Sequence, residues 1–121
     1  MRKIRKRVLT ACLDVAIMAQ LSERRFLSAT NIISVFRKRY NIQLSAGTVY
    51  PVLYALERDG KIKRIPYYRA KRLFVLTSKG KEEIKYFQTN SYRLNELLEE
   101  IFGNSEQNGN KNFIAYKETA P

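Results

Sequence analysis

Two serines constrain this chain more than anything else in it. Ser28 and Ser45 each precede a stretch with helical apolar spacing. A serine hydroxyl there can accept from the unpaired N–H groups of a first helical turn. The spacing predicts a helix over 29–40 that buries Ile32, Ile33 and Val35 or Phe36. It predicts another over 46–59, where Val49, Val52, Leu53 and Leu56 fall at i, i+3, i+4 and i+7. Only the short turn 41–44 separates the two, so they must be neighbours in space.

The flanks follow from the same rules. Residues 4–21 read as one helix with Leu9, Leu13, Ala16, Ile17 and Gln20 or Leu21 on a single stripe, and Cys12 beside it as a small core residue. Pro51 costs one backbone hydrogen bond, which is tolerable near a helix start. Asp59-Gly60 closes that helix, with Gly60 free to take the left-handed conformation. After Lys61 the period changes. Ile62 and Ile65 are apolar among cations, Pro66 stops the strand, 67–71 is a basic turn, and RLFVLT at 72–77 is a second short strand. The pair reads as a hairpin.

Thr77 then caps a long helix over 78–103, and Glu residues near its start suit the positive end of the dipole. Ile84, Phe87, Ser91, Leu94, Leu98 and Ile101 step by 3, 4, 3, 4, 3, a coiled-coil seam. Such a seam suits dimerisation, or packing back on the chain's own domain. Gly103 ends the helix. The polar stretch that follows predicts a disordered tail over 104–121.

Charge is distributed unevenly. Of 121 residues, 23 are Lys or Arg and 11 are Asp or Glu, a net +12. Residues 1–77 hold 17 basic and 4 acidic side chains, or +13; residues 78–121 hold 6 and 7, or −1. The excess clusters at 2–7, 37–39 and 61–72. A field this one-sided faces a polyanion. The absence of His and the single Cys rule out His-based acid–base catalysis, a His-ligated metal, a Cys-based zinc site and a disulfide framework within the chain. No carboxylate pair, phosphate-cradling Gly loop or nucleophile with its base can be assembled, so no enzyme, cofactor or metal is expected. A lone thiol suits a reducing compartment. No apolar run reaches the roughly 18 residues that span a bilayer. The N-terminus imitates a signal peptide, but Asp14 interrupts its apolar stretch and no A-x-A-like cleavage site follows.

The order of elements is helix, helix, helix, basic hairpin, long helix: mainly α with a small β-hairpin. Residues 1–77 make a winged helix-turn-helix and 78–103 a C-terminal dimerisation helix of the same structural unit. In such a unit the second helix of the pair enters a DNA groove, so its N-terminal turn must be small and polar. Ser45, Ala46, Gly47 and Thr48 meet that need. The wing must bring cations to phosphates, and Arg64, Arg69, Lys71 and Arg72 supply them. Arg37 and Lys38 read either as further DNA contacts or as a solvated helix C-terminus.

With these residues in place, the stretch LSAGTVYPVLYALERDGKI (44–62), followed by LFVLTSKGKEEI (73–84), resembles the PadR-type winged-helix transcriptional regulators. Gly47, Thr48, Tyr50, Pro51, Leu53, Leu56, Gly60, Leu76, Thr77 and Gly80 carry the resemblance. It implies a homodimer held by the first helix, through Leu9 and Leu13, and by the last, and binding of pseudo-palindromic DNA through the third helix and the wing. It places DNA contact on Ser45, Thr48, Tyr50 and the wing cations. Tyr50 and Tyr54 each have an alternative role as packed rings.

The expectation is therefore a dimeric, sequence-specific double-stranded DNA-binding repressor in the cytoplasm, associated with the nucleoid. The alternative is a partition-site protein of a segregation system that spreads along DNA and recruits a protein adaptor. A membrane role through the basic helix at 2–21 is disfavoured, because that helix's apolar stripe is needed for the core.

Overall fold

The computed structural model describes residues 2–66 and 72–103. They form α1 (Arg2–Ala11), α2 (Leu13–Arg24), α3 (Ala29–Tyr40), α4 (Ala46–Arg58), β1 (Ile62–Pro66), β2 (Arg72–Leu76), α5 (Ser78–Thr89) and α6 (Ser91–Phe102). These gather into two units, one running to Tyr86 and one starting at Phe87. The expected 67–71 turn and 104–121 tail lie outside the described residues.

The two serines act as their positions require. Ser28 Oγ accepts from the Asn31 N–H at 3.1 Å, and Asn31 Oδ1 accepts from the Ser28 N–H at 3.1 Å. This reciprocal box satisfies two donors at the start of α3. Asn41 turns left-handed (φ 56°, ψ 40°) and its N–H returns to the Arg37 carbonyl, ending α3 abruptly. Ile42 and Leu44 are buried within the turn, which fixes α4 against α3. Ser45 Oγ then accepts from the Thr48 N–H at 3.2 Å to open α4. Gly60, at φ 76°, closes it.

The core of the first unit draws on every layer around this pair. Ile17, Met18 and Leu21 of α2, Ile32 and Phe36 of α3, Val49, Leu53 and Leu56 of α4, and Ile62, Phe74 and Leu76 of the hairpin are buried together. Each such side chain stabilises the fold by about 1.5–3 kcal/mol. Besides Ser28, the polar Gln20 is buried: its Nε2 donates to Tyr40 Oη at 3.2 Å, while its Oε1 accepts from Arg24 Nε at 3.2 Å.

β1 and β2 pair antiparallel from Ile62↔Leu76 to Pro66↔Arg72. On the other side of β2, Phe74 exchanges both backbone hydrogen bonds with Leu27, at 2.8 and 3.2 Å. The hairpin is thus rooted in the loop after α2. At its base, Thr77 Oγ1 donates to the Gly60 carbonyl at 2.6 Å and accepts from the Gly80 N–H at 3.1 Å. The Gly80 backbone lies so close that a Cβ there would stand 2.1 Å from the Lys61 carbonyl oxygen.

Two expected helices are each broken in two. The 4–21 helix stops at Cys12 (φ −117°, ψ 37°), whose thiol donates to the Val8 carbonyl at 3.0 Å. Asp14 then sits in the first turn of α2, where an acid is favoured. Burial raises the Cys12 thiol pKa above its ordinary value. The 78–103 helix likewise stops at Asn90 (φ −104°, ψ 18°), so the seam is not carried by one continuous helix. Leu13 and Ile84, expected at a dimer seam, are 3% and 4% exposed within the first unit's own core.

In the second unit, α6 ends at Gly103 (φ 60°). None of its residues is buried, and Leu94, Leu97, Ile101 and Phe102 are exposed.

Candidate nucleic-acid interface

The N-terminal turn of α4 presents Ser45, Ala46, Gly47 and Thr48 to the outside. Their polarity is organised by the cap itself. Ser45 Oγ and Thr48 Oγ1 lie 3.1 Å apart, so one hydroxyl donates to the other. A Cβ on Gly47 would meet only Ser45 Oγ, at 3.8 Å. Glycine is not needed there by the fold, so the space beside it is open to an approaching surface.

Beside this turn, a cleft of about 270 Å³ is lined by Ser28, Ala29, Thr30, Tyr50, Tyr54, Arg64, Arg72 and Phe74. The start of α3, the outer face of α4 and the hairpin all contribute. Tyr50 and Tyr54 are 38% and 51% exposed, with ring centroids 5.8 Å apart. Both residues are exposed.

The cations are not equivalent. Arg72 is exposed at the start of β2. Arg64 is held by Glu57 at two points, Nε to Oε2 at 2.8 Å and Nη2 to Oε1 at 2.7 Å. Its guanidinium also lies 6.0 Å from the Tyr54 ring centroid. The hydrogen bond from Arg64 holds the Glu57 carboxyl below the usual carboxylate range. At the end of α3, Arg37 and Lys38 are exposed, whereas Arg39 donates to Glu23 Oε1 at 2.7 Å. The Arg2, Lys3, Arg5, Lys6 and Arg7 side chains of α1 are exposed. Arg69 and Lys71 lie outside the described residues.

Of the residues expected at a dimer contact outside the core, Phe87, Leu94 and Ile101 are exposed and Leu9 and Leu98 half-buried. Thr30 was not anticipated at the cleft, nor Glu57 as the partner of Arg64. Thr30 reaches the cleft only because the turn 41–44 brings the start of α3 beside α4. Glu57 carried one signal: it is among just four acids in residues 1–77. An acid kept within so basic a field has a cation to hold.

Residues 17–86 match the model of the transcriptional regulator PadR-like family. The chain belongs to that family. No curated protein matches the sequence. Among solved structures, a PadR-like transcription factor from Bacteroides fragilis is 22% identical, with a TM-score of 0.65 over 82% of this chain and 98% of the other. A PadR family regulator from Eggerthella lenta is 15% identical, with a TM-score of 0.67 over 85% and 88%. Bacillus subtilis PadR, solved in complex with operator DNA, is 26% identical, with a TM-score of 0.56 over 63% of this chain and 46% of that one. The PadR-like fold is thus a winged helix built of α1–α6 and the β1–β2 hairpin. No helix among the described residues is long and apolar enough to cross a membrane.

Proposed function

We propose that this PadR-like chain is a dimeric, sequence-specific double-stranded DNA-binding repressor, acting in the cytoplasm on a pseudo-palindromic site. The observation that carries this reading is the α4 turn: Ser45 and Thr48 hydroxyls beside an unobstructed Gly47, flanked by a cleft holding Arg64 and Arg72. Small polar side chains let a helix N-terminus approach base edges, while cations beside it meet the phosphates. The operator-bound Bacillus subtilis PadR supports the same use of the fold. The homodimer contact falls to Leu9, Phe87, Leu94, Leu98 and Ile101, since the chain itself covers Leu13 and Ile84.

Selection of bound duplexes from a random pool, followed by footprinting over a concentration series, tests the proposal. The expected result is one enriched palindrome and a footprint of fixed length. A footprint that grows with concentration replaces the repressor with the partition-site protein. No enriched sequence overturns sequence-specific binding.

A further inference from the structure

Glu57 is an acid placed where a DNA-binding surface should exclude one. It sits in the last turn of α4 and grips Arg64, one of two guanidinium groups lining the cleft. The pair uses both Nε and Nη2 of the guanidinium, with Glu57 and Arg64 side chains 28% and 35% exposed. Such planar two-point geometry is the strongest that a carboxylate offers an arginine. Partial burial shields it from salt. The Tyr54 ring centroid lies 6.0 Å from the same guanidinium carbon, at the edge of cation–π range.

We propose that Glu57 sets this protein's sequence-independent affinity for DNA by withholding Arg64 from the phosphate backbone. The inference rests on the DNA-binding reading above and adds a residue that works against it. A cation neutralises a phosphate by displacing a condensed counterion, and the closed pair has no net charge with which to do so. The guanidinium keeps N–H groups that Glu57 does not hold, but a phosphate meeting them while the pair is closed also meets the Glu57 carboxylate, which cancels the charge of Arg64. Glu57 is ionised at neutral pH, as an ordinary glutamate is, and the hydrogen bond from Arg64 favours that charged form further. Arg72 lines the same cleft from the exposed start of β2 and remains to contact phosphate. Phosphate contacts carry no sequence information directly, so the brake acts on all duplexes alike.

The test is a salt titration of a random-sequence duplex by fluorescence anisotropy with the full chain. Glu57→Gln should steepen the slope of log affinity against log salt by about 0.9, one phosphate's worth. The affinity ratio between 50 and 200 mM salt then grows roughly 3.5-fold. Glu57→Ala should give the same change with a different shape at the site. Glu57→Gln combined with Arg64→Gln should return the wild-type slope, because removing a neutral pair removes no contact. Asp59→Asn, two residues further on, controls for a general gain of charge. An equal shift in that control overturns the assignment to Glu57. An unchanged slope in Glu57→Gln, with a shallower one in the double variant, means that Arg64 leaves Glu57 on DNA and also overturns it. Both results leave DNA binding intact. A wild-type chain with no salt-dependent affinity for any duplex would overturn the DNA-binding reading itself.

Discussion

Helices α4 and α6 are nearly equal in length and similarly amphipathic, yet they end in opposite circumstances. Val49, Leu53 and Leu56 of α4 are at most 3% exposed, whereas Leu94, Leu97 and Ile101 of α6 are 48–60% exposed. Both sets repeat at three and four residues. The repeat therefore reports that a face is to be covered, but not what covers it. In α4 the cover is the chain's own α2, α3 and hairpin. An apolar stripe as exposed as that of α6 marks an interaction surface in a soluble protein, and the proposed dimer assigns it to a second copy.

The largest expected effect sharpens this contrast. Leu53→Ala, at a fully buried position, should lower unfolding stability by about 2–5 kcal/mol in a urea titration. A change below 1 kcal/mol would mean that α4 is not held as described. The companion experiment is Leu94→Glu with Leu98→Glu in α6. Light scattering at micromolar concentration should show a monomer, since charges in an apolar contact would lack partners. The fold of residues 17–86, followed by circular dichroism, should survive. A double variant that stays dimeric places the contact elsewhere.

Two glycines extend the comparison to smaller effects. Gly80→Ala must force a methyl group against the Lys61 carbonyl and should cost about 1–3 kcal/mol. Gly47→Ala meets open space in a helix, so it should stabilise the fold by up to about 1 kcal/mol. It should nevertheless weaken duplex binding, a split that thermal melting and anisotropy can read on one sample. Unchanged binding would remove the α4 turn from the interface.

The smallest expected effect concerns acid. Arg64 depresses the Glu57 pKa in the folded state, so the unfolded chain holds a proton more readily. The pair's contribution is complete above the ordinary glutamate value of about 4.3 and fades as pH falls below it through the folded value. Solvent around the pair keeps that contribution small. Glu57→Gln should flatten this part of the acid limb in a stability-versus-pH series. An unaltered limb would show that the pair adds nothing to stability.

Features governed by neighbours in sequence were legible from sequence. Ser28, Ser45 and Gly60 work through hydrogen bonds and φ angles within their own turns, and the elements they bound stand where expected. The Ser45–Thr48 turn was legible for the same reason. The break at Cys12 was not, because the apolar stripe runs through it without a change of phase. Its signal was Asp14, an acid suited to a helix start. The Leu27–Phe74 bridge is a single residue pair, too short to show any period. The Glu57–Arg64 clasp joins a helix end to a strand across a turn, so only the assembled fold reveals which arginine is spoken for.

The contact at Gly80 has a mechanical side. Thr77 ties the first turn of α5 to Gly60, and the Lys61 carbonyl fills the space where a side chain would otherwise leave slack. A joint without clearance does not slip. Rotating the start of α5 about its own axis must either tear the two Thr77 hydrogen bonds or carry Lys61 along, and with Lys61 the root of β1. The first turn of α5 and the root of the wing therefore share one hinge-free joint, and a rotation of either carries the other with it.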